Sequence, residues 1–264
     1  MAATSWAAPA EAWPQEWLPV LDVPEPGRQR RLTVLVRLLL LIPQFIVLWV
    51  LAIAAVLTVI VGWFAALVLG RLPEPIARFL TAYVGYEVRV AASATLLVDR
   101  YPPFALRPPP DYPVQIELRP DGLNRLAVLF RLILMIPAAI IQALVSGGWA
   151  VAGFVIWLIV LVLGRMPRPL FEATSAILRY RMRYDSYVMM LTSAYPKRLF
   201  GDEPRPDGEV RSATSPLLIS GAGRALIVLF LVLGLFGDVG SGFGRGDHMN
   251  NSSSSSPAVS TGAR

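Results

Sequence analysis

The sequence of 264 residues contains no cysteine, one histidine (His248) and one lysine (Lys197). Without cysteine the chain can form no disulfide, no thiolate nucleophile and no cysteine-ligated metal site. A lone histidine cannot build a metal centre, because such a centre needs several convergent ligands. We therefore expect no metal and no cofactor.

Signatures of catalysis are also missing. The chain has no Gly-x-Ser-x-Gly, Walker or Gly-x-Gly-x-x-Gly motif. Glu87, Asp99 and Asp185 are available as acids, but no nucleophile, base and orienting group accompany them in the sequence. The sequence therefore favours a protein that is not an enzyme.

Acidic residues are absent from two long apolar runs, residues 32–69 and 126–163, each of which holds a single charge, Arg37 or Arg131. The mean hydropathy of the chain is +0.56 and 55% of its residues are hydrophobic, which exceeds the usual composition of a soluble domain. As a helix, each run would extend about 57 Å, nearly twice the hydrocarbon core of about 30 Å. We therefore expect each run to form a two-span hairpin, with the second run turning at Ser146-Gly147-Gly148. The first run has only the weaker turn Ala52-Ile-Ala-Ala55 at that place, where an uninterrupted kinked helix is the alternative.

The net charge of +6 comes almost wholly from arginine. These arginines flank the apolar runs and form no continuous basic tract, so nucleic acid is not an expected partner. Because arginines stand at both ends of each run, the positive-inside rule places both ends in the cytoplasm.

The chain repeats itself at a constant offset of 94 positions, the difference between Arg37 and Arg131. The repeated residues include Arg37/Arg131, Pro43/Pro137, Trp63/Trp157, Gly70-Arg71/Gly164-Arg165, Tyr86/Tyr180 and Arg89/Arg183. This pattern indicates a tandem duplication of one membrane module.

Each repeat has further segments. A short strand precedes each apolar run, at residues 18–23 and 112–118, and these strands either pair with each other or lie on the membrane surface. A charged amphipathic helix follows each run, at residues 76–98 and 170–193, and is expected in the inner interface.

The expected architecture is thus an all-α integral membrane protein of helical hairpins and amphipathic interfacial helices, with short β lead-ins before each repeat. We divide the chain into a disordered N-terminal arm (1–16), repeat 1 (17–107), repeat 2 (108–200), a linker (201–216), a C-terminal transmembrane helix (217–237) and a disordered tail (238–264). The prediction is a multi-pass protein of the cell membrane with five spans, two parallel repeats and a cytoplasmic N-terminus.

Four arginines are candidate lipid ligands. Arg37 and Arg131 lie inside the apolar runs, where they either bind lipid phosphate or simply fix topology. Arg71 and Arg165 follow glycines that suit helix C-caps, and they either complement the helix dipole or contact headgroups. Pro43 and Pro137 are expected to kink their helices.

The residues carrying this pattern resemble a known family. Residues 37–43, Trp63-Phe-Ala, Leu69-Gly-Arg-Leu-Pro73 and Asp99-Arg-Tyr-Pro-Pro-Phe104 are similar to the prokaryotic membrane module called domain of unknown function 4389. Pro113-Val114 and Arg125-Leu126 also fit. The second copy departs at Ser193, which stands in the place of Asp99. The resemblance implies an integral membrane protein of unknown activity.

Two functions fit these observations. The first is a non-enzymatic scaffold or accessory subunit that engages anionic membrane lipid, a protein partner or a further copy of itself. The second is a small transporter or channel whose pathway lies between the two repeats. The absence of acidic residues inside the apolar runs weighs against the second.

Overall fold

A computed structural model describes residues 18–107, 109–120, 123–202 and 212–250, with side chains as far as residue 237. The described residues form β1 (Val20–Asp22), α1 (Arg31–Leu69), α2 (Glu74–Ala94), β2 (Gln115–Glu117), α3 (Arg125–Leu163), α4 (Arg168–Val188) and α5 (Gly221–Asn250). The predicted arm 1–16, residues 203–211 of the predicted linker and residues 251–264 of the predicted tail lie outside the described ranges.

The long helices correct the predicted hairpins, because α1 and α3 each run for 39 residues without interruption. Gly147 and Gly148 lie inside α3 instead of forming a turn. They let another helix approach, since a Cβ on Gly148 would overlap the backbone of Phe230 in α5. Close backbone packing is a second use of glycine that the sequence pattern does not distinguish from a turn.

The prolines and the terminal glycines of these helices lie where the sequence puts them. Pro43 and Pro137 are inside α1 and α3, and their kinks stay predictions. Gly70 and Gly164 end the helices with left-handed φ angles of 70° and 67°. The predicted glycine C-caps are therefore confirmed.

The two repeats are antiparallel, and the predicted parallel arrangement is wrong. The indole N–H of Trp63, near the end of α1, donates to the carbonyl of Val128 at the start of α3 over 3.3 Å. The equivalent Trp157 donates to the carbonyl of Val34 over 2.9 Å. Because each repeat gives the same contact to the other, a pseudo-two-fold axis relates them.

The shorter helix α2 returns along α1. A Cβ on Gly62 would lie 3.3 Å from Cγ2 of Ile76 near the start of α2, while Arg37 near the start of α1 reaches the carbonyl of Ser93 near the end of α2. The middle of α2 therefore faces the middle of α1.

The predicted interfacial helices lie in the interior of the fold. Glu87 and Ala91 of α2 line a cavity shared with α1 and α3, whereas Gly85 on the opposite face lies against Ile116 of β2. In α4 nearly every residue from Leu170 to Tyr187 is buried. Both α2 and α4 are amphipathic helices as predicted, but other parts of the protein cover their polar faces.

The two strands form an antiparallel ribbon, in which Leu21 pairs with Ile116 and Asp22 with Gln115. This confirms the first of the two arrangements predicted for the lead-ins. Thr214, near the end of the predicted linker, bonds through its hydroxyl to both the N–H of Val23 (2.8 Å) and the carbonyl of Leu21 (2.7 Å). The ribbon therefore covers the middle layer of α2 and α4 on the side away from α1 and α3.

The last helix packs antiparallel to α3, since Gly148 lies opposite Phe230 and Gly234 lies opposite Leu144. It begins at Gly221 and its backbone continues to Asn250, beyond residue 237 where the sequence predicted the tail. The fold thus has three layers: α1, α3 and α5; then α2 and α4; then the ribbon.

Candidate functional site

Arg37 is buried at 3% exposure and bonded within its own repeat. Its guanidinium forms an ion pair with Asp99 and donates to the carbonyls of Ser93 (3.2 Å) and Val98 (2.6 Å). These partners all follow or end α2, so Arg37 fastens the end of α2 to the start of α1. They account for its charge without a lipid, and lipid binding by Arg37 stays a prediction that this burial disfavours.

Arg131 has the same place in the second repeat and different partners. It donates to the carbonyls of Tyr187 (2.7 Å) and Thr192 (3.0 Å), and its guanidinium lies 4.3 Å from the ring centre of Tyr187. Ser193 replaces the aspartate here, and the aromatic face substitutes in part for the lost carboxylate. Lipid binding by Arg131 is disfavoured for the same reason.

Arg71 and Arg165 are exposed just beyond the ends of α1 and α3, so both remain accessible to headgroups. The helix ends themselves are covered by arginines of the other repeat. Arg31 donates to the carbonyl of Val162 in the last turn of α3 over 3.1 Å, and Nε of Arg125 lies 3.4 Å from where a Cβ on Gly70 would stand. Each repeat thereby complements the negative end of the other repeat's helix dipole.

Glu87 and Arg181 form an ion pair at the centre of the fold. They are equivalent positions, 94 residues apart, so the pair lies on the pseudo-two-fold axis. Arg181 also lies 3.7 Å from Asp185. Burial first, and then the neighbouring Glu87, raise the pKa of Asp185. In a dimer of two identical modules, the same residue would face its own copy at this position. After duplication the two copies could differ, so that opposite charges face each other here.

A buried charge cluster fills the ribbon side of repeat 2. The carboxylate of Asp202 pairs with Arg179, lies 3.7 Å from Nη2 of Arg183 and accepts from the N–H of Leu217 over 3.1 Å. Burial first, and then the neighbouring Arg179, lower the pKa of Arg183, which nevertheless stays a cation at neutral pH. Asp202 is the counter-charge that makes this burial tolerable.

Arg89 is the counterpart of Arg183 in repeat 1 and is 1% exposed. Its Nη2 donates to the carbonyls of Ala105 (2.6 Å) and Leu106 (3.2 Å), and burial lowers its pKa. A cavity of about 620 Å³ adjoins it, lined by α2, Leu106, Arg107, Ile116 and Pro120.

A second cavity, of about 390 Å³, lies between the repeats. Its walls are mostly apolar and come from both long helices and both short ones, among them Phe45, Leu48, Trp149 and Ile177. Glu87 and Arg181 stand on its wall, so the axial ion pair is its main polar feature.

The repeat pattern identifies Arg89 and Arg183 as an equivalent pair, but it does not single out Arg179 and Asp202. The offset of 94 held the signal, since it aligns Gly85 with Arg179 and Pro108 with Asp202. The repeated residues mark the shared framework, and these unequal pairs mark where the two repeats differ in charge.

Two stretches of the chain, residues 31–105 and 125–199, match the family model described as "Domain of unknown function (DUF4389)". Together they cover more than half of the sequence and coincide with the two repeats. Neither a search of curated proteins nor a search of solved structures found a match.

Proposed function

This chain belongs to the family of domain of unknown function 4389, whose description assigns no activity, and we propose from the geometry that it is a membrane-embedded, non-enzymatic scaffold or accessory subunit. Its layer of long helices lies in the hydrocarbon of a cell membrane. Its opposite, polar side engages anionic lipid or a protein partner.

The exposed apolar surface of α1 and α3 carries this proposal. Their most apolar 18-residue windows have mean hydropathies of 2.9 and 2.3, yet only 11% and 22% of those windows are buried. In a core helix of a soluble protein most of the window would be covered. A signal sequence would explain an apolar helix near the N-terminus, but α3 repeats the feature in the middle of the chain. So large an apolar surface is stable only against hydrocarbon or another apolar face.

The length of these helices favours an orientation along the membrane. A helix of 39 residues is about 58 Å long, and at a tilt of 40° it still covers about 45 Å, against a hydrocarbon core of about 30 Å. The ribbon lies over the middle of the long helices, with exposed charges on Glu117 and Arg119. In an upright orientation these charges would enter the bilayer centre, at a cost of about 3 kcal/mol each.

Helices that lie in the membrane plane avoid both problems. In this orientation the exposed arginines at the helix ends all reach one plane of headgroups. They include Arg31, Arg71, Arg125 and Arg165. Such an arrangement satisfies the positive-inside rule with both ends of each helix on one side. The apolar layer therefore occupies the cytoplasmic leaflet, and the N-terminus is cytoplasmic as the sequence predicts.

The use of the buried charges supports a scaffold over an enzyme. Arg37, Glu87, Arg179 and Asp202 are each engaged in an internal ion pair. Groups committed to internal pairs fix the packing of the layers and are not free to transfer protons or attack a substrate.

Single cysteines test this orientation, because the chain has no native thiol. R71C and R165C stand at the far ends of the two antiparallel helices, V50C stands in the middle of α1 with Val50 55% exposed, and E117C marks the ribbon. In sealed vesicles an impermeant maleimide should label R71C, R165C and E117C from the same side. V50C should react only with a lipid-soluble reagent.

Two results would contradict the proposal. Labelling of R71C and R165C from opposite sides would show antiparallel helices that cross the bilayer, and would refute the in-plane orientation alone. Release of the protein from membranes by alkaline carbonate would refute membrane embedding. Photocrosslinking from position 117 in native membranes then identifies the partner, and the absence of any crosslinked protein would leave lipid as the ligand of the polar side.

A transporter is the second candidate, and the cavity between the repeats is the observation that favours it. The cavity lies at the pseudo-two-fold axis, where duplicated transporters bind their substrates, and it carries the Glu87–Arg181 pair. Proteoliposomes loaded with a panel of small ions and solutes test this function. Fluxes equal to those of empty liposomes would remove it.

A further inference from the structure

The two repeats place an equivalent arginine in unequal surroundings. Arg89 of α2 and Arg183 of α4 are 1% and 4% exposed, and both lie on the ribbon side of the middle layer. A buried guanidinium needs hydrogen-bond acceptors and a counter-charge, because desolvation of an uncompensated cation is costly.

In repeat 2 the protein supplies everything that Arg183 needs. Its Nε donates to the carbonyl of Pro19 over 3.1 Å, its Nη1 donates to the carbonyl of Lys197 over 3.1 Å, and its Nη2 lies 3.7 Å from Asp202. The same carboxylate pairs with Arg179. Two cations thus share one internal anion.

In repeat 1 the corresponding anion is missing from the described part of the chain. Gly85 stands where repeat 2 has Arg179, and the sequence has Pro108 where repeat 2 has Asp202. Arg89 keeps two carbonyl acceptors on Nη2, its buried Nε has no hydrogen-bond partner, and it makes no ion pair with any described residue.

The cavity of about 620 Å³ lies at this arginine, whose charge has no carboxylate partner among the described residues. Arg78 and Arg107 also line it, so three cations border one space. The buried hydroxyl of Thr81, on the same wall, has no hydrogen-bond partner either. Among the described residues that line the cavity, Glu74 is the only acid. It makes an exposed contact of 3.6 Å with Arg78, which neutralises little of the positive charge.

We propose that this cavity binds a phosphate group, which takes the place in repeat 1 that the Asp202 carboxylate takes in repeat 2. Arg89 is the central ligand, because a planar guanidinium holds phosphate oxygens in parallel hydrogen bonds. Arg78 and Arg107 add positive charge, and the hydroxyl of Thr81 donates a hydrogen bond to a phosphate oxygen. The phosphate comes from a phospholipid headgroup or from solution, and only the first source rests on the membrane location proposed above.

Substitutions at Gly85 test the site without removing Arg89. A Cβ at this position would stand 3.4 Å from Nη1 of Arg89 and 3.2 Å from the terminal methyl of the flexible Ile116 side chain. Gly85→Asp should therefore place a carboxylate against Arg89, as Asp202 does in repeat 2, and displace phosphate. Gly85→Asn has the same shape without the charge and is the matched control.

Binding is measured by calorimetry with inorganic phosphate, on the full chain in a neutral, lipid-free detergent. We expect wild type and Gly85→Asn to bind phosphate, and Gly85→Asp to bind at least tenfold more weakly. Arg78→Gln should weaken binding several-fold. Equal affinity of the Asp and Asn variants would overturn the proposal, as would a wild type that does not bind phosphate and retains no phospholipid.

Native mass spectrometry of protein extracted from membranes separates the two sources. The headgroup is the source if three results hold together: wild type retains a phospholipid, added phosphate displaces it, and Gly85→Asp lacks it. Phosphate binding without such a lipid would identify a soluble ligand. The calorimetry does not depend on the membrane. If alkaline carbonate released the protein from membranes, phosphate binding in solution would still confirm this site.

One further variant separates this site from an internal ion pair. Asp121 is the acid nearest along the chain to the cavity wall at Pro120. If Asp121→Asn binds phosphate and wild type does not, an internal carboxylate occupies the site and the proposal is overturned.

Discussion

The glycine contact between α3 and α5 should make two neighbouring alanine substitutions differ in sign. In α3, a Cβ on Gly148 would overlap the carbonyl of Phe230 and stand 2.8 Å from its Cα. A Cβ on Gly147, one residue earlier, meets only the Cα of Gly234 at 3.9 Å, an ordinary contact. Gly148→Ala therefore forces the two backbones apart, and Gly147→Ala does not.

The magnitudes follow from two opposing effects. Alanine is more favourable than glycine inside a helix by about 1 kcal/mol, which both variants gain. Overpacking costs about 1–3 kcal/mol, and at Gly148 the upper end applies because the obstacle is backbone, which cannot change rotamer. We expect Gly148→Ala to lose about 2 kcal/mol of unfolding free energy and Gly147→Ala to gain up to about 1 kcal/mol.

Thermal unfolding of the two variants in detergent measures this difference. For a chain of this size about 3 kcal/mol corresponds to a Tm difference of roughly 6–12 °C. Trp149 is adjacent and donates its indole N–H to the hydroxyl of Thr174 over 3.1 Å, so its fluorescence reports the local packing. If α5 separates, trypsin should also cleave faster at the exposed Arg224.

A stabilised Gly148→Ala variant, or equal Tm values for the two variants, would refute the close approach of α5 to α3. Gly234→Ala provides the reciprocal check, since its Cβ would overlap the carbonyl of Leu144. It should lose as much stability as Gly148→Ala.

Three further predictions concern the internal ion pairs and Asp185. Asp99→Asn removes the carboxylate partner of Arg37 and should lower the unfolding free energy by about 2 kcal/mol. Ser193→Asn, at the equivalent exposed position of repeat 2, should change the unfolding free energy by less than about 0.5 kcal/mol. Equal effects of the two variants in chemical denaturation would contradict the role of this ion pair. The Glu87–Arg181 pair should show a coupling energy of about 0.5–1 kcal/mol in a double-mutant cycle of Glu87→Gln and Arg181→Gln. The value is small because Arg181 is 44% exposed, so that solvent partly screens the pair. Additive effects of the two substitutions would indicate no coupling. The raised pKa of Asp185 means that the folded state holds its proton more tightly than the unfolded state, so this group stabilises the fold at low pH and its contribution is lost as pH rises from the ordinary value of 3.8 through the raised one. Asp185→Asn should flatten the stability profile above about pH 4, and an unchanged profile would rule out this group as its source.

Local pattern was sufficient for much of the framework. The constant offset identifies the two repeats, the apolar runs predict where α1 and α3 lie, and Gly70 and Gly164 predict their ends. The alternation in the lead-ins predicts strands, and the ribbon between Leu21 and Ile116 confirms that they pair. These features depend on residues close together in sequence or on a repeat that the sequence displays directly.

The tertiary structure alone decided what covers each face. A glycine pair at 147–148 permits a turn or a close helix contact, and only the presence of α5 selects the second. The helical period shows that α2 and α4 are amphipathic, but their polar faces are buried by a ribbon and a linker segment from elsewhere in the chain. The partner of Arg37 lies 62 residues away and that of Glu87 lies 94 residues away. Periodicity tells which side of a helix is apolar, whereas the neighbour of that side depends on how distant segments pack, and for this reason the antiparallel repeats and the charge pairs between them emerge only in the folded chain.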